Sequence, residues 1–290
     1  MKQVAIITGC SSGIGYETSI LLAKNGFKTY ATMRNPDKGN KLKEIAENEN
    51  LDLNVIKLDV TDDYSIKNAI NEIIQETNRI DVLVNNAGNN IAGSVEDLSI
   101  EEFKEQFETN FFGLIKVTKE ILPIMRKQRM GMIVNVSSII GKMAIPLNSA
   151  YVSSKFAVEG FSESIRYELE DFGIKVILIE PGVVKSNFYE NTKMSKNSLM
   201  DPKSPYHSIA QKIFDWSNVD GSLSVNPPYV PPPTPLWNNT APNPPGIVGP
   251  YWGNNRPFVP GSTVGTSSPL PPPWRPTHVT PRPWVTMNDE

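Results

Sequence analysis

The chain has 290 residues with 28 basic and 31 acidic side chains, and its formal net charge of −3 gives no general pull toward nucleic acid or an anionic membrane. Its one cysteine, Cys10, excludes an internal disulfide, and its two histidines, His207 and His278, lie too far apart in sequence to suggest a zinc site or a histidine-based triad, so no metal is expected. The opening MKQVAIITG has no secretory apolar core and no run approaches the roughly 18 apolar residues of a membrane span, so the expectation is a cytoplasmic protein with no membrane span.

In chain order, short runs rich in Val and Ile alternate with longer amphipathic ones. The first run, 3–8, reads as a strand covered on both faces. It leads directly into Thr8-Gly9-Cys10-Ser11-Ser12-Gly13-Ile14-Gly15 and a helix over 14–25. Alone, such a Gly-rich stretch is also what an ordinary strand-to-helix turn looks like. Its place between the first strand and the first helix is what points to a phosphate. Glycines let backbone approach a pyrophosphate closely, and the helix N-terminus offers free amides with a partial positive charge. Gly9, Ser11, Ser12, Gly13, Ile14 and Gly15 are therefore candidate cofactor contacts. A P-loop is disfavoured because no Lys-Ser/Thr pair follows the last glycine.

The second strand, 27–33, ends in Tyr30-Ala31-Thr32-Met33-Arg34-Asn35. A carboxylate here would hold the ribose 2′-hydroxyl of NAD(H) and repel a 2′-phosphate. Arg34 stands there instead, and a guanidinium pairs with a 2′-phosphate through two charge-assisted hydrogen bonds. NADP(H) is thus favoured over NAD(H), the alternative being a merely solvated arginine. A helix over 37–48, a strand over 52–58 and a helix over 62–78, with Asp62 as its N-cap, come next. The fourth strand, 81–85, closes in Asn85-Asn86-Ala87-Gly88, a small-residue turn that lets a cofactor lie near backbone.

A long helix over 100–128 carries Phe103, Phe107, Phe111, Leu114 and Ile115 on one stripe. The fifth strand, 132–137, delivers Ser138 to the same carboxyl edge. The helix over 149–172 takes Ser149 as N-cap candidate and Val152, Phe156, Phe161 and Ile165 as its apolar stripe. The sixth strand, 175–180, closes in Pro181-Gly182. This alternation implies an α/β fold, a Rossmann-like doubly wound parallel sheet that binds ligands beyond the carboxyl ends of its strands.

Tyr151 and Lys155 are four apart near the start of a helix and so share a face. Free tyrosine has a pKa of about 10, and a nearby ammonium favours the phenolate, which makes the phenol a usable proton donor and acceptor near neutrality. Tyr-x-x-x-Lys alone also fits a surface pair on an amphipathic helix. With Ser138, Asn86-Ala87-Gly88 and Pro181-Gly182 on the same rim, packing alone is a poor explanation.

Taken together, TGCSSGIG (8–15), LDVTD (58–62), NNAG (85–88), NVSS (135–138), YVSSK (151–155) and PGVVKS (181–186) resemble the short-chain dehydrogenase/reductase family over about residues 1–190, and TGCSSGIG together with YATMRN (30–35) resembles its hydroxysteroid/retinol dehydrogenase branch more than the acyl-carrier-protein reductases. The resemblance implies an enzyme that moves a hydride between a nicotinamide and a carbonyl or secondary alcohol. It makes Tyr151 the acid/base, Ser138 a hydrogen-bond donor to the substrate oxygen, and Lys155 the holder of the nicotinamide ribose. Asn110 would anchor a water linking Lys155 to solvent. Asp59 and Val60 would flank adenine, Asn86, Ala87 and Gly88 would line the adenosine side, and Pro181, Gly182, Val184 and Ser186 would run beside the nicotinamide, with Ser186 meeting the carboxamide. The family usually has Thr at this last position, and Ser keeps the hydroxyl with less constraint. The resemblance further implies a homodimer or homotetramer.

Ile139, Ile140, Met143, Ala144, Val183, Phe188 and Met194 are expected around the substrate and are mainly apolar, which suggests a lipophilic ketone or alcohol, although several would equally serve as core. A 3-oxoacyl or sugar-ketone reductase, and a catalytically idle NADP-binding scaffold, are the alternatives. The last part of the chain differs physically. Of 25 prolines only Pro36, Pro123, Pro146 and Pro181 precede residue 201, and all five tryptophans follow it. Proline lacks an amide donor, so these stretches are excluded from interior helix and central strand. The expectation is a catalytic domain over 1–200 and a Pro/Trp-rich extension over 201–290, with no seventh strand to be found. KIFDWSNVD (212–220) reads as a short helix, and about 208–260 resembles a fragment of the vanadium-haloperoxidase-like phosphatases without their phosphate-binding residues. The extension reads as an extended arm, as a segment without regular structure, or as a fused fragment.

Overall fold

The computed structural model describes residues 2–184, 186, 188, 191–195 and 202–211. The expected 200/201 boundary, the short helix at 212–220 and almost all of the haloperoxidase-like stretch lie outside the described residues.

Among the described residues eight strands form, β1 (Val4–Thr8), β2 (Lys28–Met33), β3 (Leu53–Lys57), β4 (Val82–Asn85), β5 (Ile91–Ala92), β6 (Gly131–Val136), β7 (Ile174–Ile179) and β8 (Lys193–Met194). Six of them make one parallel sheet in the order β3-β2-β1-β4-β6-β7. The chain builds outward from β1 to β3, then returns to the other side of β1 with β4. Beyond the ends of β1 and β4, at such a reversal, is where ligands of such sheets bind. The short parallel pair of β5 with β8 is an element the sequence reading did not foresee.

The helices are α1 (Gly13–Lys24), α2 (Asn40–Asn48), α3 (Asp63–Thr77), α4 (Ile100–Phe107), α5 (Gly113–Gln128) and α6 (Ser149–Glu170). Two buried clusters sandwich the sheet. One joins Ile6, Tyr30 and Leu83 to Ile70, Ile73, Ile121 and Ile165 of α3, α5 and α6; the other joins Ala5, Ile7 and Ala31 to Ala23 and Leu42 of α1 and α2. Asp62 caps α3 as expected, accepting from the amides of Tyr64 and Ser65. Ser149 does not cap α6: Asn148 holds that position, with no side-chain cap bond.

The helix expected over 100–128 is not continuous. A π turn, Glu108–Phe112, divides α4 from α5. Such turns are rare and gather at functional sites. The stripe expected on α6 is also corrected at one position, because Phe156 stands exposed while the buried face runs through Val158, Ser162, Ile165 and Leu169.

Candidate active site

The turn after β1 is held shut by its glycines. Gly9 has φ +73°, and a Cβ there would lie 2.7 Å from Ala87 Cα; a Cβ on Gly15 would lie 2.4 Å from Asn86 Nδ2 and 2.7 Å from the Gly9 carbonyl oxygen. Neither approach leaves room for a side chain. The Asn86 side-chain amide donates to the carbonyls of Thr8 and Gly9, at 2.9 and 3.1 Å, and the Thr8 hydroxyl accepts from the amides of Asn86 and Ala87 at 3.0 Å each. The strand ends of β1 and β4 are thereby locked together. Cys10 is buried in this turn, its thiol donating to the Ile7 carbonyl, and burial pushes the thiol pKa up to about 12, which makes it inert.

Ser12 stands before α1 with extended backbone and no side-chain cap bond, while Ser11 is exposed. The first amides of α1 therefore carry no side-chain acceptor from their own cap. An open helix terminus directly after a tightly packed glycine turn fits a dinucleotide pyrophosphate. Gly13, at φ +62°, faces Ser186, whose Cβ would be 3.2 Å from a side chain placed there. The segments expected to hold the pyrophosphate and the nicotinamide carboxamide thus meet.

A buried polar ladder sets the rim. Asn85 and Asn135 are register partners in β4 and β6. Asn85 Nδ2 donates to Thr118 of α5 at 3.0 Å and to Asn135 at 2.9 Å, and Asn135 donates to Ser162 of α6 at 2.8 Å. Two helices are pinned through two strands at the level of the site.

Above this ladder β6 is followed by Ser137 and Ser138. Ser138 is half-buried, and its hydroxyl accepts weakly from the Ile140 amide at 3.3 Å. The turn Ile139–Gly141 that follows packs on α6. Ile139 N donates to the Pro181 carbonyl at 3.0 Å, which brings Pro181 and Gly182 beside Ser138. Tyr151 and Lys155 occupy the first two turns of α6, both buried. Lys155 Nζ donates to the Val136 carbonyl at 2.8 Å and lies 5.7 Å from the centre of the Tyr151 ring. Burial lowers the Lys155 pKa to about 8, against a raising influence from Glu159. The Phe188 ring, one of the apolar residues expected around the substrate, tilts against Tyr151 with centroids 5.7 Å apart.

Asn110 lies in the π turn. Its carbonyl oxygen accepts from Asn89 N at 2.9 Å, and its amide donates to the Asn89 carbonyl at 3.0 Å and to Ser154 of α6 at 3.3 Å. Gly88 sits directly before this oxygen. The π turn and α6 are thus cross-linked one residue from Lys155. Asn89 and Ser154 escaped the sequence reading; only their adjacency to Gly88 and Lys155 could have drawn notice.

The remaining expected contacts vary. Arg34 is exposed immediately beyond β2, and among the described residues no hydrogen bond or ion pair holds it. The Asp59 carboxylate is engaged by the amide and hydroxyl of Thr61, at 2.9 and 2.8 Å. Val60 is buried against Gly113, where a Cβ would lie 2.7 Å from its methyl carbon, so its side chain serves the core. Val184 is exposed, as is Gly182. The apolar Ile139, Val183 and Met194 stand exposed. No helix among the described residues is long and apolar enough to cross a membrane.

Comparison with known proteins bears on the family and the fold. Residues 3–197 match the short chain dehydrogenase family. The "uncharacterized oxidoreductase YusZ" of Bacillus subtilis is 43% identical over 231 residues, 79% of this chain and 82% of that protein. Human "retinol dehydrogenase 8" is 42% identical over 191 residues, 64% of this chain and 60% of that protein. The structure of an alcohol dehydrogenase from Thermococcus sibiricus complexed with 5-hydroxy-NADP is similar with a TM-score of 0.62 and 26% identity, over 73% of this chain and 89% of that one. These matches lend no support to a haloperoxidase-like extension. The chain belongs to the short-chain dehydrogenase/reductase family of oxidoreductases.

Proposed function

We infer that the protein is an NADP(H)-dependent oxidoreductase that interconverts a lipophilic carbonyl compound and its alcohol, with Tyr151 as the acid/base. The observation that carries this reading is the buried ammonium of Lys155, fixed on the Val136 carbonyl beneath the Tyr151 ring. A bound nicotinamide would supply or take up the hydride. Tyr151 gives its phenolic proton to the substrate oxygen, or removes the hydroxyl proton in reverse. The positive charge of Lys155 favours the phenolate. Ser138 donates a hydrogen bond to the same oxygen and stabilises its developing charge. Asn110 keeps the π turn against α6, and through Ser154 holds the helix that carries both Tyr151 and Lys155.

Gly9, Ser11, Ser12, Gly13, Ile14 and Gly15 would hold the pyrophosphate, Arg34 the 2′-phosphate, and Pro181, Gly182, Val184 and Ser186 the nicotinamide side. The preference for NADP(H) is supported by the exposed Arg34 at the end of β2 and by the absence of an acid in Tyr30-Ala31-Thr32-Met33. A lipophilic substrate is supported by Phe188 against the Tyr151 ring, by the exposed apolar Ile139 and Val183, and by the likeness to a protein named for retinol. A cytoplasmic homodimer or homotetramer completes the reading.

The test is a panel of apolar, 3-oxoacyl and sugar ketones with NADPH, followed by absorbance of the reduced nicotinamide. Oxidation with an apolar ketone is expected. Tyr151→Phe should abolish turnover and leave NADPH binding intact, and near-normal turnover in that variant would overturn the mechanism.

A further inference from the structure

Glu159 lies in α6 one turn beyond Lys155, so the two side chains share a helical face. It is 5% exposed, an unusual place for a carboxylate. The Lys142 ammonium reaches one of its oxygens at 2.8 Å from the surface, and reaches Glu180 at 3.6 Å. Yet neither Glu159 oxygen accepts a well-aligned hydrogen bond from a described group, and the neighbouring buried hydroxyl of Ser137 has no such partner either. Both converge on Gly141, where a Cβ would lie 2.7 Å from Ser137 Oγ and 3.1 Å from Glu159 Oε1. A side chain at 141 would displace the carboxylate.

We propose that Glu159 is a positioning residue for Lys155: from inside α6 it holds the ammonium in its charged form beneath the Tyr151 ring, while Lys142 competes for the same carboxylate from the surface. This rests on the reading of Tyr151 as acid/base. Burial pushes Lys155 down, and Glu159 opposes that push. Without it the lysine would lose its proton nearer neutrality, and with that its influence on the phenol. Lys155 is otherwise faced by Tyr151 and the Val136 carbonyl. Glu159 is faced by Ser137 and Lys142, with Glu163, Arg166 and Glu180 lining the surface pocket outside. From α4 and the π turn come Asn110, bonded to Ser154, and Glu102, turned into the cap of α4 at Ser99. A purely structural Lys142–Glu159 pair would have no reason to change how Lys155 titrates.

The experiment is NMR of the full chain labelled at the lysine ε-carbons, without cofactor, with the Lys155 signal identified by its loss in Lys155→Arg. The wild-type midpoint is expected near 8. Glu159→Gln should lower it by about one unit, and Glu159→Asp should restore part of the shift. Lys142→Met should raise it by roughly a few tenths of a unit, since Lys142 is half-exposed and screened. The alkaline limb of the pH profile for carbonyl reduction should move in the same directions, with KM for NADPH unchanged. A folded Glu159→Gln with the wild-type midpoint overturns the proposal. Should that variant not fold, Lys142→Met decides, and an unmoved midpoint there overturns it. A wild-type chain with no turnover would remove the reading of Tyr151 and leave the lysine titration as the test of Glu159.

Discussion

At the scale of single residues, the site depends on charges placed where water does not reach them or where nothing else claims them. Arg34 is of the second kind. If it grips a 2′-phosphate, Arg34→Asp removes a charge-assisted pair of roughly 1.5–3 kcal/mol, a loss of about 10- to 100-fold. That loss should appear in kcat/KM for NADPH and not for NADH; equal losses with both would assign Arg34 another role. Lys155 is of the first kind. Its folded-state pKa, about 8, lies below the unfolded value of about 10.4, so the buried ammonium destabilises the fold at every pH below about 8. That penalty fades as pH rises toward the unfolded value. Urea titrations should show the wild type gaining stability relative to Lys155→Met between about pH 8 and 10. A constant difference across that window would mean that the lysine is not desolvated. Both residues were legible in the sequence, Lys155 through its spacing from Tyr151 and Arg34 through its place at a strand end. Glu159 was not, because a glutamate in an amphipathic helix carries no sign of burial until the neighbouring turn packs over it.

At the scale of elements, the carboxyl ends of β1, β4 and β6 are held together by side chains rather than by strand pairing alone. Asn135 stands at the centre of that arrangement, linked to Asn85 and to Ser162. Asn135→Ala would leave buried partners unsatisfied at a cost of about 1–3 kcal/mol, measurable as a lower urea midpoint. Turnover should fall as well, since α6 carries Tyr151 and Lys155; an unchanged midpoint would show the ladder to be dispensable. The same elements show where periodicity misleads. The apolar stripe Phe103, Phe107, Phe111 and Leu114 is compatible with one unbroken helix, yet the chain makes a π turn at 108–112. The extra residue lets Asn110 reach both Asn89 and Ser154, contacts made with distant parts of the chain that local spacing does not encode. The start of α6 at Ser149 is as expected, but its cap is not Ser149, for a related reason: Asn148 is drawn into the cap position by tertiary contacts, its backbone bridging to Gly93 and its side chain accepting from Asn90.

At the scale of the whole molecule, the sheet is covered unevenly. Lys175, Ile177 and Ile179 of β7 are exposed on the side that α1 and α2 cover elsewhere, and no strand among the described residues pairs with the outer edge of β7. A parallel strand is ordinarily buried on both faces, and an open apolar edge favours association. On the other side, Ile100 and Phe112 stand exposed around α4 and the π turn, with Phe156 exposed on α6. Sedimentation equilibrium should therefore give a dimer or tetramer, and charging Phe112 and Phe156 together as Phe112→Glu/Phe156→Glu should shift it to monomer; a monomeric wild type would refute this. The sequence by itself determined the six parallel strands, the glycine turn and the Tyr151/Lys155 pair, because strand hydrophobicity, glycine conformation and helical spacing act over a few residues. Only the tertiary structure decided the π turn at Asn110, the polar ladder through Asn85 and Asn135, and the burial of the Glu159 carboxylate under the turn at Gly141, because each depends on groups distant in the chain meeting where water is excluded.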